Sequence, residues 1–192
     1  MSPRSDSRRR MLDAAAELFR SQGYHATGLS QIVEVSRAPK GSLYFHFPGG
    51  KEQLAAEAMR EAAGRVRELL VESAAASPDT VSALGSVIGA LTTELAATEF
   101  RGGCPLATVA LDAATESDQI AVACRDGYDS WRDAIGAMLI RNGATPQRAA
   151  ELATVVLAAI EGALLLARIN RDVAPLRAVH DHLITFIAKE LG

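Results

Sequence analysis

Only two cysteines, Cys104 and Cys124, occur in the 192 residues. That is too few for a disulfide scaffold, and it fits reduced thiols in the cytoplasm, with no bridge expected between them. No segment reaches the roughly 18 consecutive apolar residues of a membrane span, and the longest candidate, residues 155–167, is interrupted by Glu161. The N-terminus is basic but lacks the apolar stretch of a secretion signal. There is no Gly-x-Ser-x-Gly elbow, no phosphate loop and no His-Glu-x-x-His metal helix. His180-Asp181-His182 brings two imidazoles close in sequence, but residues two apart on a helix point in different directions, so one metal would not accept both. Cys104 follows two glycines with no base nearby in sequence and reads as a small buried residue. No catalytic residue, metal or cofactor is therefore expected. Strand-like alternation, internal repeats and low-complexity tails are absent as well.

What is present is helix. The hydrophobic fraction of 48% is rich in Ala and Leu, the strongest helix formers. Gly23, the Ser77-Pro78-Asp79 run, Arg101-Gly102-Gly103, Asn142-Gly143 and Thr145-Pro146 punctuate the chain. They predict an all-α fold of about nine helices, near residues 5–22, 27–35, 39–47, 51–75, 79–98, 105 onward, 118–141, 145–170 and 174–191. Charge is segregated. Through Lys51 there are eight Lys or Arg against four Asp or Glu, a net +4, and the remainder carries twelve against nineteen, a net −7, together the −3 of the whole chain. A basic head on an acidic body suggests that a polyanion meets the head.

The most informative stretch is TGLSQIVEVSRAPKGSLYFHFPGGKEQL, residues 27–54. It reads as two short helices and the start of a third. The first opens at Thr27, whose hydroxyl is expected to cap it, and carries Leu29, Ile32, Val33 and Val35. The second opens at Pro39, suited by its fixed φ to a first helical position. Leu43 and Phe47, four apart, form its buried side, with Lys40, Ser42, Tyr44 and His46 on other faces. A helix this short is not stable alone; its use is to be held by neighbours and present side chains, as in a helix-turn-helix whose second helix enters the DNA major groove.

Lys40-Gly41-Ser42-Leu43-Tyr44-Phe45-His46-Phe47, followed by Lys51-Glu52-Gln53-Leu54, resembles the recognition-helix signature of the TetR-type bacterial transcriptional repressors. The Ala38-Pro39-Lys40-Gly41-Ser42 wording, the Pro48-Gly49-Gly50-Lys51 linker, Gly103-Cys104-Pro105-Leu106-Ala107 and Glu161-Gly162-Ala163-Leu164-Leu165-Leu166-Ala167-Arg168 are similar to its LmrA-type branch. The resemblance implies a DNA-binding head over residues 1–50 and an effector-binding and dimerisation domain over residues 51–192. It implies phosphate contacts by Thr27, Tyr44 and Lys51 and groove contacts by Lys40, Ser42 and Phe45, with Arg37, Pro39 and His46 also at the duplex. Arg37 stands where the wider family usually has Gly, so a left-handed backbone there would be strained. Gly49-Gly50 replaces the commoner single Ser of the linker.

Further down, Gly85, Gly89, Gly136 and Gly162 sit inside helical segments, as close packing or a cavity would require. Ordinary core accounts for Tyr128 and Trp131 as well as a ligand pocket does. The resemblance implies the pocket, with Ile88, Cys104, Leu111, Tyr128, Trp131, Met138 and Glu161 as its candidate lining and an apolar or aromatic occupant. It also implies a homodimer made by the last two helices, with Val155, Leu164, Leu183, Ile184 and Ile187 at the seam. The expected protein is thus a cytoplasmic repressor that binds a palindromic operator in double-stranded DNA and is released by a small-molecule effector, with no membrane partner. A small-molecule carrier whose head no longer reads DNA is the competing expectation, and an enzyme a distant third.

Overall fold

The computed structural model describes residues 3–39 and 41–191. Among these residues there are nine helices and no strand: α1 Pro3–Gln22, α2 Leu29–Ser36, α3 Ser42–His46, α4 Gly50–Ala76, α5 Thr80–Ala97, α6 Pro105–Ala113, α7 Asp118–Arg141, α8 Pro146–Asn170 and α9 Ala174–Leu191. The caps explain many boundaries. Asp79 accepts the Ser82 amide at the head of α5, Cys104 Sγ accepts that of Ala107 ahead of Pro105, and Thr145 accepts that of Arg148 ahead of Pro146. The helices α2, α5 and α7 end alike, with paired amide-to-carbonyl bonds reaching back over the last turn and a left-handed residue, Arg37, Glu99 or Gly143.

Packing divides the chain into two compact units, residues 1–64 with 104–128 and residues 65–103 with 129–192. The division expected at residue 50 concerns function; packing breaks the chain elsewhere, because α4 and α7 each contribute to both units. In the first unit α1 packs on α2, α3 and α6, around the fully buried Met11, Leu12, Phe19, Ile32, Phe47, Leu54, Met59 and Leu106. Gly127 sits in this core: a Cβ there would stand 2.6 Å from Leu106 Cδ1 and 2.9 Å from Ala63 Cβ, so only Gly fits.

In the second unit α9 packs on α5 and α8. The buried Thr80 hydroxyl donates to the Met138 carbonyl at 2.7 Å, and its amide donates to Asn142 Oδ1 at 2.9 Å. Of the four glycines expected to mark close packing or a cavity here, Gly85 marks close packing, with His180 Nε2 at 3.2 Å from a would-be Cβ, whereas Gly89, Gly136 and Gly162 have open space. Helix α5 and an 18-residue stretch of α8 have mean hydropathy of 1.3 and 2.0 and the length of membrane spans, which corrects the expectation that none would qualify. The earlier expectation required unbroken apolar runs, while α5 and α8 are apolar on average; core helices of a folded unit meet the same measure, and both pack on α9.

Candidate nucleic-acid interface

The short helix α3 is held from one side and bare on the other. Leu43 and Phe47 are buried in the first unit, whereas Tyr44 and Phe45 are 66% and 69% exposed. Two aromatic rings left in water on a five-residue helix are a presented surface. The helix starts at Ser42, three residues later than Pro39, because the Ser42 amide and hydroxyl both bond the Pro39 carbonyl, at 2.9 and 2.7 Å, and close a turn first. Pro39 is exposed in that turn, and Lys40 lies outside the described residues. Arg37, exposed, has φ 51° and ψ 33°, the left-handed conformation foreseen as strained.

One expected contact is corrected. Thr27 neither caps α2 nor faces solvent: it is 1% exposed, its hydroxyl donates to the Gly23 carbonyl at 2.7 Å, and α2 starts at Leu29 behind Gly28. A local cap lost to a carbonyl four residues back. His46 is half-buried, with Nε2 3.1 Å from Ser7 Oγ, a contact that ties α3 to α1.

Lys51 opens α4 beyond Gly50, whose φ of 68° is the left-handed turn that the second linker glycine permits. The neighbouring Gly49 amide donates to Gln53 Oε1 at 2.8 Å. Lys51 Nζ lies 4.3 Å from the Tyr24 ring centre, a cation–π arrangement. Burial lowers the Lys51 pKa, and burial, then Glu52 and Glu116, raises that of the Tyr24 phenol. A partly desolvated ammonium is less screened toward a phosphate than one fully in water.

One set of contacts escaped sequence reasoning altogether. The Tyr24 amide donates to Asp112 Oδ2 at 2.9 Å, His25 Nε2 lies 2.9 Å from the Asp112 carbonyl oxygen and 3.5 Å from Glu116 Oε2, and Ser117 bonds Glu52. Gly23, at φ 89°, lies so close to the Asp112 carboxylate that a Cβ would collide with it. The turn before α2 is therefore clasped by the end of α6, 88 residues away in sequence. No local signal marks such a contact.

The candidate effector residues do not share one unit. Ile88, Trp131 and Met138 are buried and Glu161 half-buried in the second, while Cys104, Leu111 and Tyr128 belong to the first. Cys104 Sγ is 3.5 Å from Tyr128 Oη, and both cysteines are free thiols; burial pushes that of Cys124 up to about 11. Leu111 is 84% exposed, since α6 buries Leu106, Val109 and Ala113 and Leu111 lies off that stripe; it encloses nothing. Of the expected seam, Leu164, Leu183 and Ile187 are buried within the chain, Ile184 is half-buried and only Val155 is freely exposed.

With this geometry in view, the family described as bacterial regulatory proteins, tetR family, matches residues 11–58, and that described as transcriptional regulator LmrA/YxaF-like, C-terminal domain, matches residues 80–182. The chain is 39% identical over 171 residues to the HTH-type transcriptional regulator LmrA of Bacillus subtilis (strain 168), covering 89% of this chain and 91% of that protein. It is 37% identical over 190 residues to the uncharacterized HTH-type transcriptional regulator YxaF of the same organism, covering 99% and 100%. The crystal structure of a TetR transcriptional regulator from Chloroflexus aurantiacus J-10-FL superposes with a TM-score of 0.81 at 29% identity, covering 98% of this chain and 97% of that one. The chain belongs to the TetR family of transcriptional regulators, in its LmrA/YxaF-like branch. It is a helix-turn-helix DNA-binding regulator and not an enzyme.

Proposed function

We propose that the protein is a cytoplasmic, ligand-released repressor that binds a palindromic operator as a homodimer. The observation that carries this reading is α3, anchored by Leu43 and Phe47 and exposing Tyr44 and Phe45. In the proposed complex α3 enters the major groove. Ser42, Phe45 and Lys40 meet base edges, Tyr44, Arg37 and Lys51 meet phosphates, and Pro39 shapes the turn. Base contacts select sequence while phosphate contacts position the protein.

One such helix reads few base pairs, so two heads must act together, with half-sites about 34–36 Å apart or a multiple of it. The face available for pairing is the exposed stripe Val155, Leu165, Leu166 and Ile169 on α8, with Phe186 on α9. Its residues recur at helical spacing around the uncrowded Gly162, which lets a second helix approach. No metal or cofactor enters this reading, and no membrane does either: an apolar stripe on one side of α8 suits a like stripe on a second copy.

The effector is a small apolar or aromatic molecule contacting the second unit around Ile88, Trp131 and Met138. It releases DNA because it favours a conformation with weaker operator affinity; a coupling of about 1–3 kcal/mol would weaken operator binding roughly 5–150-fold. The test is selection of bound duplexes from random DNA by the full chain. It should enrich an inverted repeat, and compounds that quench Trp131 should then release it. Enrichment of no sequence would overturn the repressor reading in favour of a carrier, and a tight quenching ligand that leaves DNA affinity unchanged would overturn the switch.

A further inference from the structure

Beside α3 lies an open depression of about 690 Å³, walled on one side by Pro39, Ser42 and Phe45 and on the other by Asp6 and Arg10 of α1. The α1 residues come from a part of the chain that the helix-turn-helix pattern does not include. When α3 enters a major groove, the sugar-phosphate strand along that groove must run next to the helix. Each strand of a duplex carries a phosphate every 3.4 Å or so along the helix axis, so a hollow flanking Ser42 and Phe45 is where such a strand fits. Of the consecutive arginines there, Arg8 is committed to Glu57 and to the Phe47 ring. Arg10 instead faces the hollow, and its Nη1 lies 3.5 Å from Asp6 Oδ2 with both side chains about half exposed, 44% and 45%.

We propose that Arg10 is an additional phosphate-binding residue of the DNA interface and that Asp6 competes with DNA for it. In the free protein the carboxylate holds the guanidinium. On binding, a phosphate takes its place, and the displaced carboxylate is left facing the polyanion. Asp6 thereby lowers affinity for every duplex, generic ones most visibly, because their binding is almost wholly electrostatic. An exposed pair at this distance is weak, which is what an exchangeable partner must be.

This inference rests on the DNA-binding reading above, and its test separates the two. Fluorescence anisotropy would follow the full chain binding a random-sequence duplex and a duplex selected from random DNA, across a range of KCl concentrations. Arg10→Ala should weaken both and reduce the salt slope by about 0.9 per bound chain. Arg10→Lys should keep the slope, and Arg60→Ala, which removes the same charge from α4 outside the hollow, should change it far less. Asp6→Asn should tighten binding to the random duplex about two- to five-fold, with a smaller gain when Arg10 is already Ala. Thermal melts confirm that each variant folds, and Arg10→Gln replaces Ala if that variant does not. An unchanged slope in both Arg10→Ala and Arg10→Gln, or an Asp6→Asn gain that is equal with and without Arg10, overturns the proposal. A wild-type chain that binds neither duplex overturns the DNA-binding reading itself.

Discussion

The two compact units present different surfaces. The first is laced by polar contacts between distant segments: Arg8 with Glu57, Ser7 with His46, Tyr24 with Asp112, Glu52 with Ser117. Its exposed aromatics are confined to α3. The second also has polar contacts between distant segments, from Thr80 to Met138 and Asn142 and from Arg148 to Glu190, but it leaves an apolar stripe in water along α8. A surface that meets a hydrated, charged polymer must orient a few side chains against water, and directional polar contacts do that. A surface that meets its own copy needs only area and shape.

The sharpest way to break this comparison is to charge the stripe. Leu165→Glu with Ile169→Glu, at positions 56% and 67% exposed, should leave the helical spectrum intact, produce monomers by sedimentation and abolish measurable operator binding. By contrast Leu164→Ala, one residue away but buried, should destabilise the fold by about 2–5 kcal/mol, seen as a lower denaturation midpoint. If both variants merely unfold, the stripe is core and not interface.

Next in size is Gly127→Ala. The added methyl meets the Ala63 Cβ, which cannot rotate away, as well as the more yielding Leu106; overpacking of this kind costs about 1–3 kcal/mol. A similar melting temperature for the variant would show that α7 can shift. Asp112→Ala removes the acceptor of the Tyr24 amide and should cost about 1–2 kcal/mol. It should also weaken DNA binding, since the turn ahead of α2 is no longer clasped. Hydrogen exchange at the Tyr24 amide would speed up, and unaltered protection would refute the clasp.

The smallest effect expected is a gain. Arg37→Gly relieves the left-handed backbone and should stabilise the head by about 0.5–1 kcal/mol. If Arg37 reaches a phosphate, the same variant binds DNA with a shallower salt slope. A more stable variant with an unchanged slope would reduce Arg37 to a helix terminator.

How much of this could be read in advance varies residue by residue. Leu43 and Phe47 were readable as buried because a spacing of four on a helix defines one face, and the same count leaves Tyr44 and Phe45 outside. Counting faces would also have excluded Leu111 from any lining, had the α6 stripe of Leu106, Val109 and Ala113 been used. Thr27 misled because a hydroxyl before an apolar run is the ordinary cap signal, and only the fold shows the Gly23 carbonyl within its reach.

By itself, the sequence determined nearly all of the helices and the aromatic helix that the head presents. These follow from local rules: helix propensity, caps, turns and the spacing of apolar residues. Only the tertiary structure decided that His46 faces Ser7, that Asp112 clasps the turn after Gly23, that Gly127 admits no side chain and that α8 turns Leu164 inward and Leu165 outward. Each of these depends on which distant surface arrives at a residue, and packing of segments tens of residues apart leaves no trace in the local pattern of either one.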